Sequence, residues 1–368
     1  MALPYFLRGY MKKILILTGC AGFIGLNLLK ELIKDYDFMK SYHDIISIDK
    51  MGYATNYNSL TYYKLCDLYG ISTIDEDINN LPNVRNKLFF NPLEAKDITY
   101  DILDFASESH VDNSIADPFS IFNQNVSIPA KLLEWIGKDN WKNINVYYHI
   151  STDEVYSEIP LDKVNFYANW FKTTDPFKPN NPYSASKVAQ DSFLMSLRHT
   201  FGLNVKFIRM ANQFGNYQHP EKMVPASVLR VLKGEPIKVY GEGLNVRQWT
   251  PVNITVEIIL DILKNKIVFD DIIHIADREG VFNNNHITEM MIKILKDFGY
   301  ESKKEYIKDR LGHDSAYALD TTKLIDSYFW TTPLLDLNYY KTEGTENHLR
   351  KTIKFYIDNK ETYLGNNK

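Results

Sequence analysis

Two carboxylates side by side, Asp153 and Glu154, follow the hydroxyls of Ser151 and Thr152 and precede Tyr156. The stretch lies between an apolar run, Val146 to Ile150, and a long polar loop. At a strand end such a pair can set an acid and a base over one substrate. Neighbouring carboxylates in a water-poor site cannot both ionise cheaply, so their pKa values should separate, one group keeping its proton. Downstream, Tyr183-Ser184-Ala185-Ser186-Lys187 puts a phenol and an ammonium four residues apart, on one face if the segment is helical. A phenol titrating near ~10 is a poor base at neutral pH, and an adjacent cation can lower that value.

The elements that must carry these groups follow from pattern. Ile14-Leu15-Ile16-Leu17-Thr18 reads as a buried strand, and Gly19-Cys20-Ala21-Gly22-Phe23-Ile24-Gly25 follows it. Leu26 to Lys34 is helical in spacing, and Asp44 to Ile48 is a second strand ending at Asp49. This is the βαβ unit whose glycines let the backbone approach a diphosphate at a helix N-terminus. Asp49 is placed to accept from the adenosine ribose, and its charge would repel a 2′-phosphate, so NAD is favoured over NADP. Further strands are expected at Tyr63 to Leu65 before Asp67, Ile102 to Ala106, Val146 to Ile150, Val205 to Met210 and Ile272 to Ala276. Helices are expected over Pro118 to Gly137 and over Pro182 to Phe201, the latter stopped by Gly202.

Strands alternating with helices predict an α/β fold, a Rossmann-type doubly wound parallel sheet with a smaller mixed α/β lobe. The division expected is a disordered extension over 1–11, a dinucleotide-binding domain over 12–210 with a returning strand near 271–277, a substrate-binding lobe over 211–270 and 278–355, and a tail over 356–368. Helices at Met223 to Leu232, Thr255 to Leu263 and Ile287 to Phe298 are assigned to that lobe.

Composition sets outer limits. With 45% hydrophobic and 14% aromatic residues among 368, the chain can fill a substantial core. A net charge of −4 gives no global attraction to nucleic acid or an acidic membrane. Cys20 and Cys66 offer neither a disulfide framework nor metal-ligand spacing, and suit a cytoplasmic setting. The uncharged run Ile14 to Leu29 is shorter than the ~18 residues of a membrane span and is broken by Gly19, Gly22, Gly25 and Asn27. His149 reads as a satisfied core residue.

On these residues the chain resembles the extended short-chain dehydrogenases/reductases, and among them the nucleotide-sugar 4,6-dehydratases acting on dTDP-glucose or UDP-glucose. The likeness runs from about Lys12 to beyond Tyr317 and also covers Glu108-Ser109-His110-Val111-Asp112, Pro220-Glu221-Lys222, Gly241 to Trp249 and Gly312-His313-Asp314. The Thr-Asp-Glu triplet is its specific part. The resemblance implies that Tyr183 takes the sugar 4-OH proton with support from Lys187 while C4 gives hydride to NAD. Thr152 would orient that hydroxyl, Glu154 remove the C5 proton, and Asp153 protonate the departing C6 hydroxyl. Hydride return to C6 would give a 4-keto-6-deoxy sugar for deoxysugar (rhamnose-type) biosynthesis.

Cofactor contacts carried over by the resemblance are Gly19, Gly22, Phe23, Ile24 and Gly25, then Asp49 and Lys50, then Asp67 and Leu68. Phe105, Ala106, Ser107, Tyr183, Lys187 and Gln213 complete that set. Substrate contacts carried over are Ser109, His110, Thr152, Asn212, Glu221 and Lys222, together with Val239, Tyr240, Arg247, His274, His313 and Tyr317. Relatives of this kind pair as homodimers, here through the helices beginning at Pro118 and Pro182. The chain departs from the pattern at Gln213-Phe214, His274-Ile275-Ala276, Ser315-Ala316 and Ser157. A 4-epimerase or decarboxylase of the same superfamily is the alternative, and a silent NAD-binding protein would lack use for both residue sets.

Overall fold

The computed structural model describes residues 12–84, 98–309, 311–331 and 344–365. Seven strands, β1 (Lys12–Thr18), β2 (Asp44–Asp49), β3 (Ser72–Asp75), β4 (Ile98–Asp104), β5 (Ile144–Thr152), β6 (Val205–Met210) and β7 (Ile272–Ile275), form one parallel sheet. Their order is β7-β6-β5-β4-β1-β2-β3. Alternation splits each strand between two cores: Leu15 and Leu17 face one side of the sheet, Ile14 and Ile16 the other. Helices Phe23–Leu32 and Val252–Leu263 cover the first side, and Pro118–Ile136 and Pro182–Phe201 the second. Burial on both faces is why the strands read as nearly unbroken apolar runs. From β1 the chain runs outward through β2 to β3, then crosses back to set β4 on the other side of β1. The crevice at this switch point, at the strands' carboxyl ends, is where such sheets hold ligands.

The Pro182–Phe201 helix is fixed at both ends by local sequence. Asn181 caps it by accepting from the Ser184 N–H while the Ser184 hydroxyl returns a bond to the cap backbone, and Gly202 ends it in the left-handed region at φ 69°. This sets Tyr183 in the first turn and Lys187 one turn later on the same face.

The smaller lobe packs helices Met223–Leu232, Asn284–Asp297 and Gly344–Asp358 around Phe214 and Trp249. Two short ribbons border it: Ile237–Tyr240 runs parallel to Lys304–Ile307, and Val246–Gln248 antiparallel to Val281–Asn283.

Three expectations need correction. Tyr63 to Leu65 is not a strand; it lies in helix Ser59–Tyr69, which buries Tyr62 and Cys66 four residues apart and stops at Gly70. The third strand is Ser72–Asp75 instead. Helix Val252–Leu263, assigned to the lobe, packs on Phe23–Leu32 against the main sheet, because it is apolar around most of its circumference and forms the crossover into β7. The expected tail over 356–368 contains the end of helix Gly344–Asp358 and a further helix, Lys360–Leu364, and Tyr356 and Tyr363 are buried in the lobe core. The expected extension over 1–11 and the last residues, 366–368, lie outside the described residues. Among the described residues no helix is long and apolar enough to cross a membrane.

Candidate active site

A cleft of about 350 Å³ opens at the carboxyl ends of β1, β4 and β5. At one end the Gly19–Gly25 loop runs into helix Phe23–Leu32. Gly19 sits at φ 66°, and a Cβ on Gly25 would lie 2.6 Å from the Cys20 Cα and the Gly19 carbonyl oxygen, so loop and helix can close only on glycine. Gly22 caps the helix with no side-chain bond, leaving the first N–H groups open to the cleft. Asp49 ends β2 with one oxygen accepting from the Ala21 N–H at 3.0 Å and the other from the Met51 N–H at 2.9 Å. Burial raises its pKa and these backbone donors oppose the rise. An open helix N-terminus beside a rigidly held carboxylate fits a dinucleotide, diphosphate at the dipole and ribose hydroxyls at Asp49.

At the other end β5 finishes at Thr152 and turns tightly over Asp153–Val155. The Thr152 hydroxyl accepts from the Glu154 N–H at 3.2 Å and donates to Asp153 Oδ1 at 3.0 Å. Asp153 is only 2% exposed, and its Oδ2 has no partner among the described residues. Burial, with the Glu154 charge added, pushes the Asp153 carboxyl up to about 7. Glu154 accepts from Asn181 Nδ2 at 3.0 Å, so the residue capping the Tyr183 helix also holds this carboxylate.

Tyr183 and Lys187 line the same cleft. Against expectation, the Tyr183 phenol is raised rather than lowered, first by burial and then by the Glu154 and Asp153 charges. The Lys187 ammonium faces the Ile150 carbonyl at 2.9 Å, Gln190 Oε1 at 2.6 Å and His149 Nε2 at 3.4 Å. Burial lowers Lys187 to about 8, with Asp191 and Asp104 opposing.

The cleft wall brings together thirteen of the fifteen cofactor positions expected from sequence: Gly19, Gly22, Phe23, Ile24, Gly25, Asp49 and Lys50 on one side, Phe105, Ala106, Ser107, Tyr183, Lys187 and Gln213 on the other. Asp67 and Leu68 are the exceptions and are corrected here. They lie exposed on helix Ser59–Tyr69, away from the cleft, because the strand expected before them is helix. Asp77 and Ile78, just beyond β3, line the cleft instead, as does Gln124. The β-branched run Ile71 to Ile74 after Gly70 was the signal for that strand.

Of the substrate positions, Ser109, Thr152, Asn212, Glu221 and Lys222 line the cleft. His110 stands behind Glu221 at 3.9 Å. Val239, Tyr240, Arg247, His274, His313 and Tyr317 do not line it. Val239 is buried inside its ribbon, and Tyr240 meets the His313 ring edge-on at 6.2 Å. His313 Nδ1 bonds Asp309 at 2.6 Å. Arg247 donates to the Asp314 and Val246 carbonyls and lies over the Tyr317 ring, whose hydroxyl bonds Asp314. His274 is a buried strut: its Nδ1 donates to the Asp320 carbonyl at 2.9 Å, so Nε2 accepts from the Tyr156 hydroxyl at 2.8 Å. Burial lowers its pKa to about 3 and keeps it neutral.

Known proteins place this geometry in context. The family model described as GDP-mannose 4,6 dehydratase matches residues 16–332. A dTDP-glucose 4,6-dehydratase of Xanthomonas campestris pv. campestris is 31% identical over 95% of this chain and 95% of its own. One from Neisseria meningitidis is 28% identical over 95% and 94%. Among solved structures, a dTDP-glucose 4,6-dehydratase from Streptomyces venezuelae with NAD bound superposes with TM-score 0.74 at 27% identity, covering 94% of this chain and 98% of that one. The NAD complex of the Bacillus anthracis enzyme gives 0.75 at 28% identity, covering 95% and 98%. A Bacillus cereus UDP-glucuronic acid 4-epimerase reaches 0.75 at 20% identity, which speaks for the fold alone.

Proposed function

The chain belongs to the nucleotide-sugar 4,6-dehydratase family, and from that premise we propose that it converts dTDP-glucose to the 4-keto-6-deoxy sugar as an NAD-dependent hydro-lyase. The observation that carries the reading is Asp153: a carboxyl almost wholly buried, one oxygen without a partner among the described residues, beside Glu154 in the cleft that also holds Tyr183 and Lys187. A 4-epimerase has no use for a proton donor at C6.

The Gly19–Gly25 loop, Asp49, Asp77 and Ile78 would hold NAD, which when bound would supply a hydride acceptor for C4 and a hydride donor for C6, with no net redox change. Thr152 orients the 4-OH and Tyr183 accepts its proton. Because burial raises the phenol, this base needs positive charge beside it, which Lys187 and a bound cofactor would supply. Once C4 is a ketone, the C5 hydrogen is acidic and Glu154 removes it. Asp153, which still holds its proton up to about pH 7, gives that proton to the leaving C6 hydroxyl, and water departs. Glu154 then returns its proton to C5. Lys222, in the cleft wall, is the cation for the diphosphate, while Arg247 serves the Val246 and Asp314 carbonyls outside it.

We place the enzyme in the cytoplasm as a homodimer paired through helices Pro118–Ile136 and Pro182–Phe201. Phe119 and Phe122, exposed on the first of these, support that pairing.

Separate incubation with dTDP-glucose, UDP-glucose and GDP-mannose tests the proposal, with products weighed by mass spectrometry. Loss of one water from dTDP-glucose, fastest of the three, is the expected result. A product of unchanged mass with a new C4 configuration would make the enzyme an epimerase.

A further inference from the structure

Beneath the cleft lies a cluster of buried ionisable groups that the reaction above does not use. Asp104, at the end of β4, accepts from the Thr18 hydroxyl at 2.6 Å and the Tyr147 hydroxyl at 2.7 Å. His149 Nδ1 lies 3.4 Å from the same carboxylate, and its Nε2 lies 3.4 Å from Lys187 Nζ. The imidazole is fully buried, with the Phe207 ring of β6 set edge-on against it. Thr18 in turn accepts from the Ala106 N–H at 3.0 Å, and Ala106 lines the cofactor end of the cleft. A line of polar contacts therefore runs from the cofactor wall through Thr18, Asp104 and His149 to Lys187.

The tautomer follows from donors and acceptors. An ammonium has three N–H groups and accepts nothing, and Lys187 faces three acceptors: the Ile150 carbonyl, Gln190 Oε1 and His149 Nε2. The set closes only if His149 is neutral with its proton on Nδ1, pointing at Asp104. The opposite tautomer would aim Nε2–H at Asp191 Oδ1, 3.5 Å away. It would also turn a lone pair on the Asp104 carboxylate and set a donor against the ammonium, both repulsive in a site without water. Asp191 is already bound to Arg209 through its other oxygen. The charged and titratable groups facing the ring are thus Asp104 from β4, Tyr147 on its own strand, and Lys187 and Asp191 from the facing helix. Burial and the Lys187 charge lower the His149 pKa, with Asp104 opposing, which agrees with a neutral ring. Burial raises Asp104, but the bonds from His149, Thr18 and Tyr147 outweigh it and keep it charged.

We propose that His149, oriented by Asp104, is a positioning residue for Lys187, holding the third donor of the ammonium so that the lysine stays charged and fixed beneath Tyr183. This rests on the reading in which Lys187 supports Tyr183 in the first hydride transfer. His149 touches neither sugar nor cofactor and acts only through the lysine.

The test is the pH profile of reduced-cofactor formation in a single turnover with dTDP-glucose, for the NAD-loaded enzyme and its variants. His149→Phe puts a slightly larger apolar ring in the same place and removes the acceptor, so its alkaline limb should move down by roughly one pH unit, with a rate loss of about fivefold at pH 8 and an unchanged substrate KM. His149→Gln, which can again accept from Lys187, should restore most of both. Asp104→Asn takes away the charge that holds the proton on Nδ1 and one of the two charges that favour the Lys187 ammonium. It should therefore reproduce the downward shift at nearly unchanged volume, and the question stays answerable if the phenylalanine variant does not fold. A profile superimposable on the parent in a folded His149→Phe or Asp104→Asn overturns the inference, provided Lys187→Met is slow. A Lys187→Met variant at parental rate overturns instead the role of the lysine, and the His149 proposal with it.

Discussion

The two ends of the cleft treat a buried carboxylate in opposite ways. Asp49, at the dinucleotide end, has a backbone N–H on each oxygen from residues close to the loop it braces. Asp153, at the catalytic end, is buried more deeply, shares one oxygen with the neighbouring Thr152 hydroxyl, and leaves the other, next to Glu154, without a partner among the described residues. Burial raises both. At Asp49 two backbone donors and Lys50 oppose the rise, and Asp75 adds only the weakest push. At Asp153 the Glu154 charge is the next cause after burial and carries the carboxyl up to about 7. A carboxylate that holds a ligand is supported in its charged form, and one that must deliver a proton is denied that support. The catalytic end stores destabilisation where the dinucleotide end stores order.

Removing the base at either step should break the catalytic end hardest. Tyr183→Phe should slow the appearance of reduced cofactor in a single turnover by roughly 10²–10⁴-fold. Glu154→Gln should slow water loss by a similar factor while reduced cofactor still accumulates and NAD stays bound. Parental rates in either variant would remove that residue from its role.

Asp153→Asn sharpens the contrast, because rate and stability should move in opposite directions. Water loss should fall about 10²-fold, and the decline of that step above pH 7 in the parent should vanish from the residual activity. In the parent the folded carboxyl keeps its proton to about 7, whereas the unfolded chain releases it near ~4. Between those values the folded state binds more protons, so Asp153 lowers stability progressively as pH rises through that window, and the cost is complete above it. The asparagine should therefore stabilise the protein by about 2–4 kcal/mol at pH 8 and change little at pH 4. Denaturant melts at the two pH values read this directly; equal midpoint shifts at both would refute it.

This contrast also explains what the sequence made legible. The Gly19–Gly25 loop, Asp49 and the Tyr183–Lys187 pair are each contained in one short stretch with its own strand, cap or turn, so spacing alone placed them. Asp77 was missed because the aromatic run around Tyr63 imitates a strand, while the true third strand is four residues long and largely exposed. Val252–Leu263 was misplaced because an apolar helix does not reveal which core it covers; only packing against Phe23–Leu32 does. His274 was carried over as a substrate contact by the resemblance alone, and its actual partners, Tyr156 and Asp320, are far away in sequence and invisible to periodicity. His149 was legible as buried but not as a neighbour of Lys187, for the same reason.

At the dinucleotide end the largest effect should come from Gly25→Ala. The new Cβ would meet backbone atoms at 2.6 Å, which no side-chain motion can relieve. The loop must move away from the helix it opens, costing about 1–3 kcal/mol and weakening NAD binding by roughly 10–100-fold. Calorimetric titration of the stripped enzyme with NAD measures it. Affinity within twofold of the parent would mean that the loop does not need its present closure.

Asp49→Asn should be milder, because most of what Asp49 does is geometric. The amide keeps one acceptor oxygen for either the Ala21 or the Met51 N–H, and its NH₂ group faces the other. Losing one backbone bond and the charge that accepts from the ribose should weaken NAD by about tenfold. The same change removes the repulsion of a 2′-phosphate, so NADP affinity should hold or rise and the preference between the two cofactors should narrow. If NAD and NADP weaken in parallel, Asp49 only braces the loop. The dinucleotide end would then owe its selectivity to another wall of the cleft.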